Sequence, residues 1–134
     1  MDSTNCGRQA PQVVIADDDF LIRQMLRSVA DKHCQVVGEA EDGKRAVELS
    51  RELRPNILLL DISMPLLSGL QAARRIHMEA PEVRIIIVSS HSDRVYIESA
   101  FQIGVQGYVF KRCANTDLPR AIENVLHNRR YCSS

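Results

Sequence analysis

The chain has 134 residues, 45% hydrophobic and 25% charged, and its 17 basic and 17 acidic side chains cancel. That length supports one domain with its own core, the composition is that of a globular protein rather than a disordered one, and the balanced charge supplies no basic field for nucleic-acid binding by this segment. The apolar runs are too short to span a bilayer, residues 1–11 lack the apolar stretch of a secretory signal, and Cys6, Cys34, Cys113 and Cys132 show neither a CxxC pair nor zinc-ligand spacing, so free thiols in a reducing cytoplasm are expected.

After a polar segment over residues 1–11, expected to be flexible, Val13-Val14-Ile15-Ala16 reads as a strand, followed at once by Asp17-Asp18-Asp19. Ile22, Met25, Leu26 and Val29 recur at helical spacing. Gln35 to Gly38 reads as a second strand, and Asp42-Gly43 opens a helix with Ala46, Val47 and Leu49 inward, stopped by Pro55. Ile57-Leu58-Leu59-Leu60 is a solid apolar run ending in Asp61. Pro65 and Gly69 mark a loop, and a helix with Leu70, Ala73 and Ile76 runs to Pro81. Ile85 to Val88 is the next strand, closed by Ser89-Ser90. A helix over about Val95–Ile103 ends at Gly104, and Gln106 to Phe110 is the fifth strand. The last helix is expected from a cap at Asn115 or Thr116 to about Asn128, with Pro119 in its first turn, where a missing N–H costs little. Residues 12–130 thus form one domain, and 131–134 read as a tail or the start of a linker.

Continuous apolar strands mark a parallel sheet buried on both faces. Five βα units in this length predict a flavodoxin-like α/β domain, (βα)5 and doubly wound, with strand order 2-1-3-4-5 and helices on both faces. In such sheets ligands bind beyond the carboxyl ends of the strands. Those ends carry Asp17-Asp18-Asp19, Asp61, Ser89-Ser90 and Lys111. Crowded carboxylates repel unless one is protonated or a cation intervenes, and oxygen ligands suit magnesium or manganese. Asp18 and Asp61 are the expected direct ligands, Asp17 acts through water, and the Ser63 main-chain carbonyl adds an oxygen. Asp61 can then serve as nucleophile toward phosphorus, with Lys111 and the Ser89 hydroxyl covering the phosphoryl oxygens. Singly, an acid after a strand is an ordinary turn or cap residue; the reading rests on all of them falling at neighbouring strand ends.

The stretches VVIADDDFLIRQML, VVGEAEDGKRAVEL, PNILLLDISMPLLSGLQAARRI, IIIVSSHSD and GVQGYVFKR, in this order, resemble the response-regulator receiver family over about residues 12–130. The resemblance implies an acidic pair at Asp17 and Asp18, a phospho-acceptor at Asp61, a metal-binding carbonyl at Ser63, a hydroxyl switch at Ser89, an aromatic switch at Tyr108 and a phosphate-pairing lysine at Lys111. It implies a regulatory domain, not an enzyme beyond its own phosphorylation and dephosphorylation, and a sensor histidine kinase as donor. Arg112 stands where the family usually has a cis proline; a cis Lys111-Arg112 bond would cost roughly 3 kcal/mol and is not assumed. EAEDG, LLDISMP and the ending AIENVLHNRRYCSS most resemble the LuxR-type, NarL-like transcription regulators. That implies DNA binding through a C-terminal helix-turn-helix domain outside this chain; a partner, or a second protomer in a homodimer formed on phosphorylation, could read the switched face. The alternative is a stand-alone receiver acting by protein–protein interaction or phosphorelay.

The expected switch draws Ser89 and Lys111 toward the phosphoryl group, lets Tyr108 rotate into the vacated space, and repacks the surface of the fourth helix, fifth strand and fifth helix, near which Val95, Tyr96, Ala100, Tyr108 and Val109 fall. The bland counterpart for Tyr108 is a half-buried aromatic with a bonded hydroxyl. Asp19 either adds to the metal site or caps the first helix. His91 either influences water attack on the acyl phosphate or is a solvated loop residue. Three rivals are set aside: a phosphohydrolase, which would show a D-x-D after its first strand; a flavin protein, whose phosphate Asp17–Asp19 would repel; and a receiver that docks without being phosphorylated.

Overall fold

Every strand that the apolar runs announce is present in residues 10–134, the part of the chain that the computed structural model describes. The expectation of flexibility over residues 1–11 therefore falls, for 1–9, outside the described residues, as does Cys6. The strands are β1 (Gln12–Ala16), β2 (Gln35–Ala40), β3 (Ile57–Leu60), β4 (Arg84–Ser89) and β5 (Gly107–Phe110), each followed by a helix: α1 (Phe20–Ala30), α2 (Gly43–Leu53), α3 (Gly69–Glu79), α4 (Arg94–Ile103) and α5 (Ala114–Leu126). A two-residue strand, β6 (Tyr131–Cys132), completes an all-parallel sheet of order β2-β1-β3-β4-β5-β6. This is the doubly wound, flavodoxin-like arrangement expected, with one added edge strand.

Strand alternation sends side chains to two cores. Val14, Leu58, Leu60, Ile85, Ile87 and Tyr108 pack with Ala46, Ala73, Ile76 and Ala100 of α2, α3 and α4. Val13, Ile15, Ile57, Leu59, Ile86 and Val109 pack with Leu26, Leu118, Ile122 and Val125 of α1 and α5. Val109 of β5 therefore packs on the α1 and α5 side, and Ala100 is buried beneath α4. Of the residues expected near the switch surface, Val95 is the exposed member and Tyr96 is half-buried.

The C-terminal stretch differs from expectation in three ways. First, a 3-10 turn over Lys111–Cys113 leads directly into α5, so the helix starts at Ala114; neither Asn115 nor Thr116 caps it, and the Thr116 hydroxyl donates to Cys113 O. Pro119 is consequently the sixth residue of α5 rather than part of its first turn. Second, Asn128 takes a left-handed conformation (φ 62°) and turns the chain back along the sheet. Third, the expected tail is a paired edge: Tyr131 N–H donates to Gln106 O and Ser133 N–H to Tyr108 O, while the buried Ser133 hydroxyl accepts from Phe110 N–H and donates to Asp117. Among the described residues no helix is long and apolar enough to cross a membrane, and no peptide bond is cis.

Candidate functional site

β1 and β3 lie side by side with Ala16 paired to Leu60, so the next residue of each, Asp17 and Asp61, emerges at the same sheet edge. Main-chain bonds fix both: Asp17 N–H donates to Ala40 O (3.1 Å) and Asp61 N–H to Ala16 O (2.9 Å). Asp17 is fully buried, Asp61 is 5% exposed, and Asp18 is open to solvent. Lys111 arrives from the end of β5, its Nζ 2.9 Å from Asp17 Oδ2 and 3.3 Å from Asp61 Oδ1. Gly69 lets α3 approach the same point: its N–H donates to Ile62 O (2.7 Å), and a Cβ there would lie 1.9 Å from Asp61 O.

One carboxylate oxygen from each of Asp17, Asp18 and Asp61 falls within 4.8 Å of the other two. Three acids against one lysine leave the pocket with excess negative charge, and every donor is a hard oxygen. Both features fit a magnesium- or manganese-sized cation. Asp19 is not in this cluster. Its Oδ1 accepts from Leu21 N–H (2.9 Å) and Ile22 N–H (3.3 Å), so it is the N-cap of α1.

Burial pushes the Asp61 carboxyl up to about 6, with the neighbouring Asp17 charge adding to the effect; Lys111 and a main-chain hydrogen bond from Ser63 oppose it. For Lys111, burial works against the ammonium, but the hydrogen bond to Asp17 and the charge of Asp61 outweigh it and the pKa is raised. The lysine therefore stays charged where a phosphoryl group would add negative charge.

The expected Ser89, Tyr108 and His91 form one connected unit. Ser89 ends β4, and its Oγ accepts from His91 N–H (3.0 Å); the Tyr108 hydroxyl donates to His91 O (2.7 Å). Ser63 Oγ lies 3.3 Å from His91 Nε2, and the imidazole stacks on Tyr96 of α4 at 4.3 Å. His91 is thus a half-buried loop residue that joins the loop after Asp61, Ser89 and α4. Tyr108 is fully buried, rather than half-buried, and stands edge-on to Phe110 at 6.1 Å.

Arg23 escaped the sequence reading. It lies on the inner stripe of α1 with Leu26 and Ala30, 7% exposed, and donates from Nη1 to Asp17 O (2.7 Å) and from Nε to Glu39 Oε1 (3.1 Å). The available signal was a charged residue at a stripe position, opposite a glutamate in an otherwise uncharged strand.

Residues 13–123 match the response regulator receiver domain family. The chain is 32% identical over 122 residues to the transcriptional regulatory protein DegU of Brevibacillus brevis, covering 90% of this chain and 52% of that protein. It is 34% identical over 124 residues to the response regulator UvrY of Escherichia coli, covering 91% and 57%. The chain thus spans little more than half the length of these relatives. Among solved structures, a LuxR-family two-component response regulator from an Aurantimonas species superposes with TM-score 0.87 at 31% identity, covering 92% of this chain and 89% of that one. The receiver domain of the NarL response regulator from Mycobacterium tuberculosis gives 0.85 at 29%, covering 90% and 99%.

Proposed function

We propose that this chain, which belongs to the response regulator receiver domain family, works as a phosphorylation switch with Asp61 as acceptor. The observation that carries this is the setting of Asp61: a nearly buried carboxylate at the end of the central strand, 3.3 Å from Lys111 Nζ and clustered with Asp17 and Asp18. A carboxylate oxygen of Asp61 attacks phosphorus, the bond to the donor breaks, and the leaving group departs with the bonding pair. Phosphoryl transfer needs mainly positioning and charge neutralisation. Lys111 supplies a fixed cation, and the Ser89 hydroxyl, one strand over, is a hydrogen-bond donor to a phosphoryl oxygen. Asp18 and Asp61 with the Ser63 carbonyl, and Asp17 through water, would hold magnesium or manganese, which supplies further neutralisation of phosphoryl charge.

The signal passes from Ser89 through His91 to Tyr108 and Tyr96. Ser89 drawn toward the phosphoryl group pulls on His91 N–H, and through the His91 carbonyl on the buried Tyr108 hydroxyl. A sensor histidine kinase is the donor, the cytoplasm the compartment, and a phosphorylated homodimer the acting form. The output is control of a DNA-binding domain outside this chain, a reading supported by the DegU relative, which is named a transcriptional regulatory protein and of which this chain covers 52%. Incubation with magnesium and acetyl phosphate is expected to add one phosphoryl mass to the protein and none to Asp61→Asn; a gain that survives that substitution refutes the assignment.

A further inference from the structure

A buried arginine needs a reason, because its charge loses hydration and its five N–H groups need acceptors. Arg23 has a specific set. Nη1 holds the main-chain carbonyl of Asp17, Nε holds Glu39 Oε1, and the exposed Phe20 ring covers the guanidinium at 5.5 Å. Glu39 is braced by a second arginine, Arg27, on the next turn of α1. Burial works against the Glu39 carboxylate, but the Arg27 and Arg23 hydrogen bonds outweigh it and hold its pKa below the usual range. Together these contacts tie α1 to β2 across the start of the acidic turn.

The consequence for Asp17 and Asp18 is geometric. The peptide on the N-terminal side of Asp17 is fixed by Ala40 O, and the peptide joining Asp17 to Asp18 is fixed by Arg23. Asp17 Oδ1 then accepts from Asp19 N–H (2.9 Å), which closes the turn. Without Arg23, the Asp17 carbonyl loses that hydrogen bond, and the direction of the chain from Asp17 into Asp18 rests on the Asp19 N–H bond alone.

We propose that Arg23, clamped by Glu39, is a positioning residue for the divalent-cation site: by gripping the Asp17 carbonyl it sets the direction in which Asp17 and Asp18 present their carboxylates. This rests on the reading that Asp17, Asp18 and Asp61 hold such a cation. Residues that orient metal ligands typically change affinity 10- to 100-fold when removed. A lysine in place of Arg23 can reach the carbonyl or Glu39 but cannot fork to both.

The test uses the purified chain, magnesium titrated by calorimetry, and amide hydrogen exchange without metal. In Arg23→Met, magnesium affinity is expected to fall about tenfold or more, Arg23→Lys to recover little of it, and Asp19 N–H to exchange faster in the metal-free protein. Glu39→Gln, which keeps the shape and removes the charge, is expected to show a smaller loss in the same direction. Saturating magnesium should restore acetyl-phosphate labelling of Asp61 in these variants. Wild-type affinity and unchanged Asp19 exchange in folded Arg23→Met overturn the proposal; if that variant does not fold, the same result in Arg23→Lys and Glu39→Gln overturns it. Failure of the wild-type chain to bind magnesium overturns the site reading instead, and Asp19 exchange still decides whether Arg23 holds the turn.

Discussion

Replacing Asp61 with asparagine should make the metal-free protein more stable at neutral pH. Asp61 is 5% exposed, and its carboxyl is pushed from the ordinary 3.8 up to about 6. The folded state thus binds the proton more tightly than the unfolded chain does. The corresponding stability is complete below about pH 4 and is lost as pH rises through about 6. At about 1.4 kcal/mol per tenfold change in proton affinity, the ionised carboxylate costs the fold up to about 3 kcal/mol above pH 7. Asparagine has the shape of the protonated form and carries no such cost. In EDTA at pH 8, Asp61→Asn should therefore be about 1–3 kcal/mol more stable than wild type, and at pH 4 the difference should shrink toward zero. At roughly 4 °C per kcal/mol for a domain of this size, the shift is readily seen by thermal unfolding. Magnesium at 100 times its dissociation constant should stabilise wild type by about 2.7 kcal/mol and the variant much less, closing or reversing the gap. A variant less stable than wild type in EDTA at pH 8, or a difference that does not vary with pH, refutes the electrostatic account of Asp61.

Three further outcomes follow from the packing. Gly69→Ala places a Cβ 1.9 Å from Asp61 O; urea unfolding should show a loss of about 1–3 kcal/mol, and magnesium affinity should fall with it. Tyr108→Phe removes the hydroxyl that donates to His91 O, so unfolding should report a loss of about 1 kcal/mol, with no loss of magnesium affinity. Ser133→Ala leaves the buried Phe110 N–H without its acceptor; a loss of about 1–3 kcal/mol is expected, together with faster exchange of the Phe110 amide.

What the sequence disclosed and what it hid divide along the range of the interaction. The solid runs at Ile57–Leu60 and Ile85–Val88 can only be strands covered on both sides, so sheet, layers and strand-end residues were legible at once. Alternation was legible too, and would have put Val109 opposite Tyr108 and Phe110 had it been applied to β5. β6 was not legible. Tyr131 and Cys132 make no apolar run, and their pairing depends on Asn128 turning left-handed and on Ser133 meeting Asp117 sixteen residues away. The start of α5 was hidden because no side chain caps it; the 3-10 turn supplies the helical entry. Arg23 was hidden for the opposite reason, since arginines on helices usually face water, and only Glu39 and the Asp17 carbonyl in three dimensions account for its burial.

The site is the place where local preferences conflict. The cores around it contain apolar side chains in complementary layers, whereas Asp17 and Asp61 are two acids out of water with a single lysine between them. Burial and the Asp17 charge push the Asp61 carboxyl up to about 6, against the pull of Lys111 and of the Ser63 main-chain hydrogen bond. A site held this way responds steeply to added charge of either sign. A cation relieves the repulsion; a phosphoryl group on Asp61 moves negative charge outward and gives Lys111 and the Ser89 hydroxyl new partners. Ser89 already accepts the N–H of His91, whose carbonyl takes the Tyr108 hydroxyl and whose ring stacks on Tyr96. A displacement of Ser89 therefore reaches α4 through two contacts, the His91 N–H and the His91 ring on Tyr96. In the proposed switch the contacts of the phosphoryl group with Lys111 and Ser89 supply the free energy, and the His91 junction carries it toward α4.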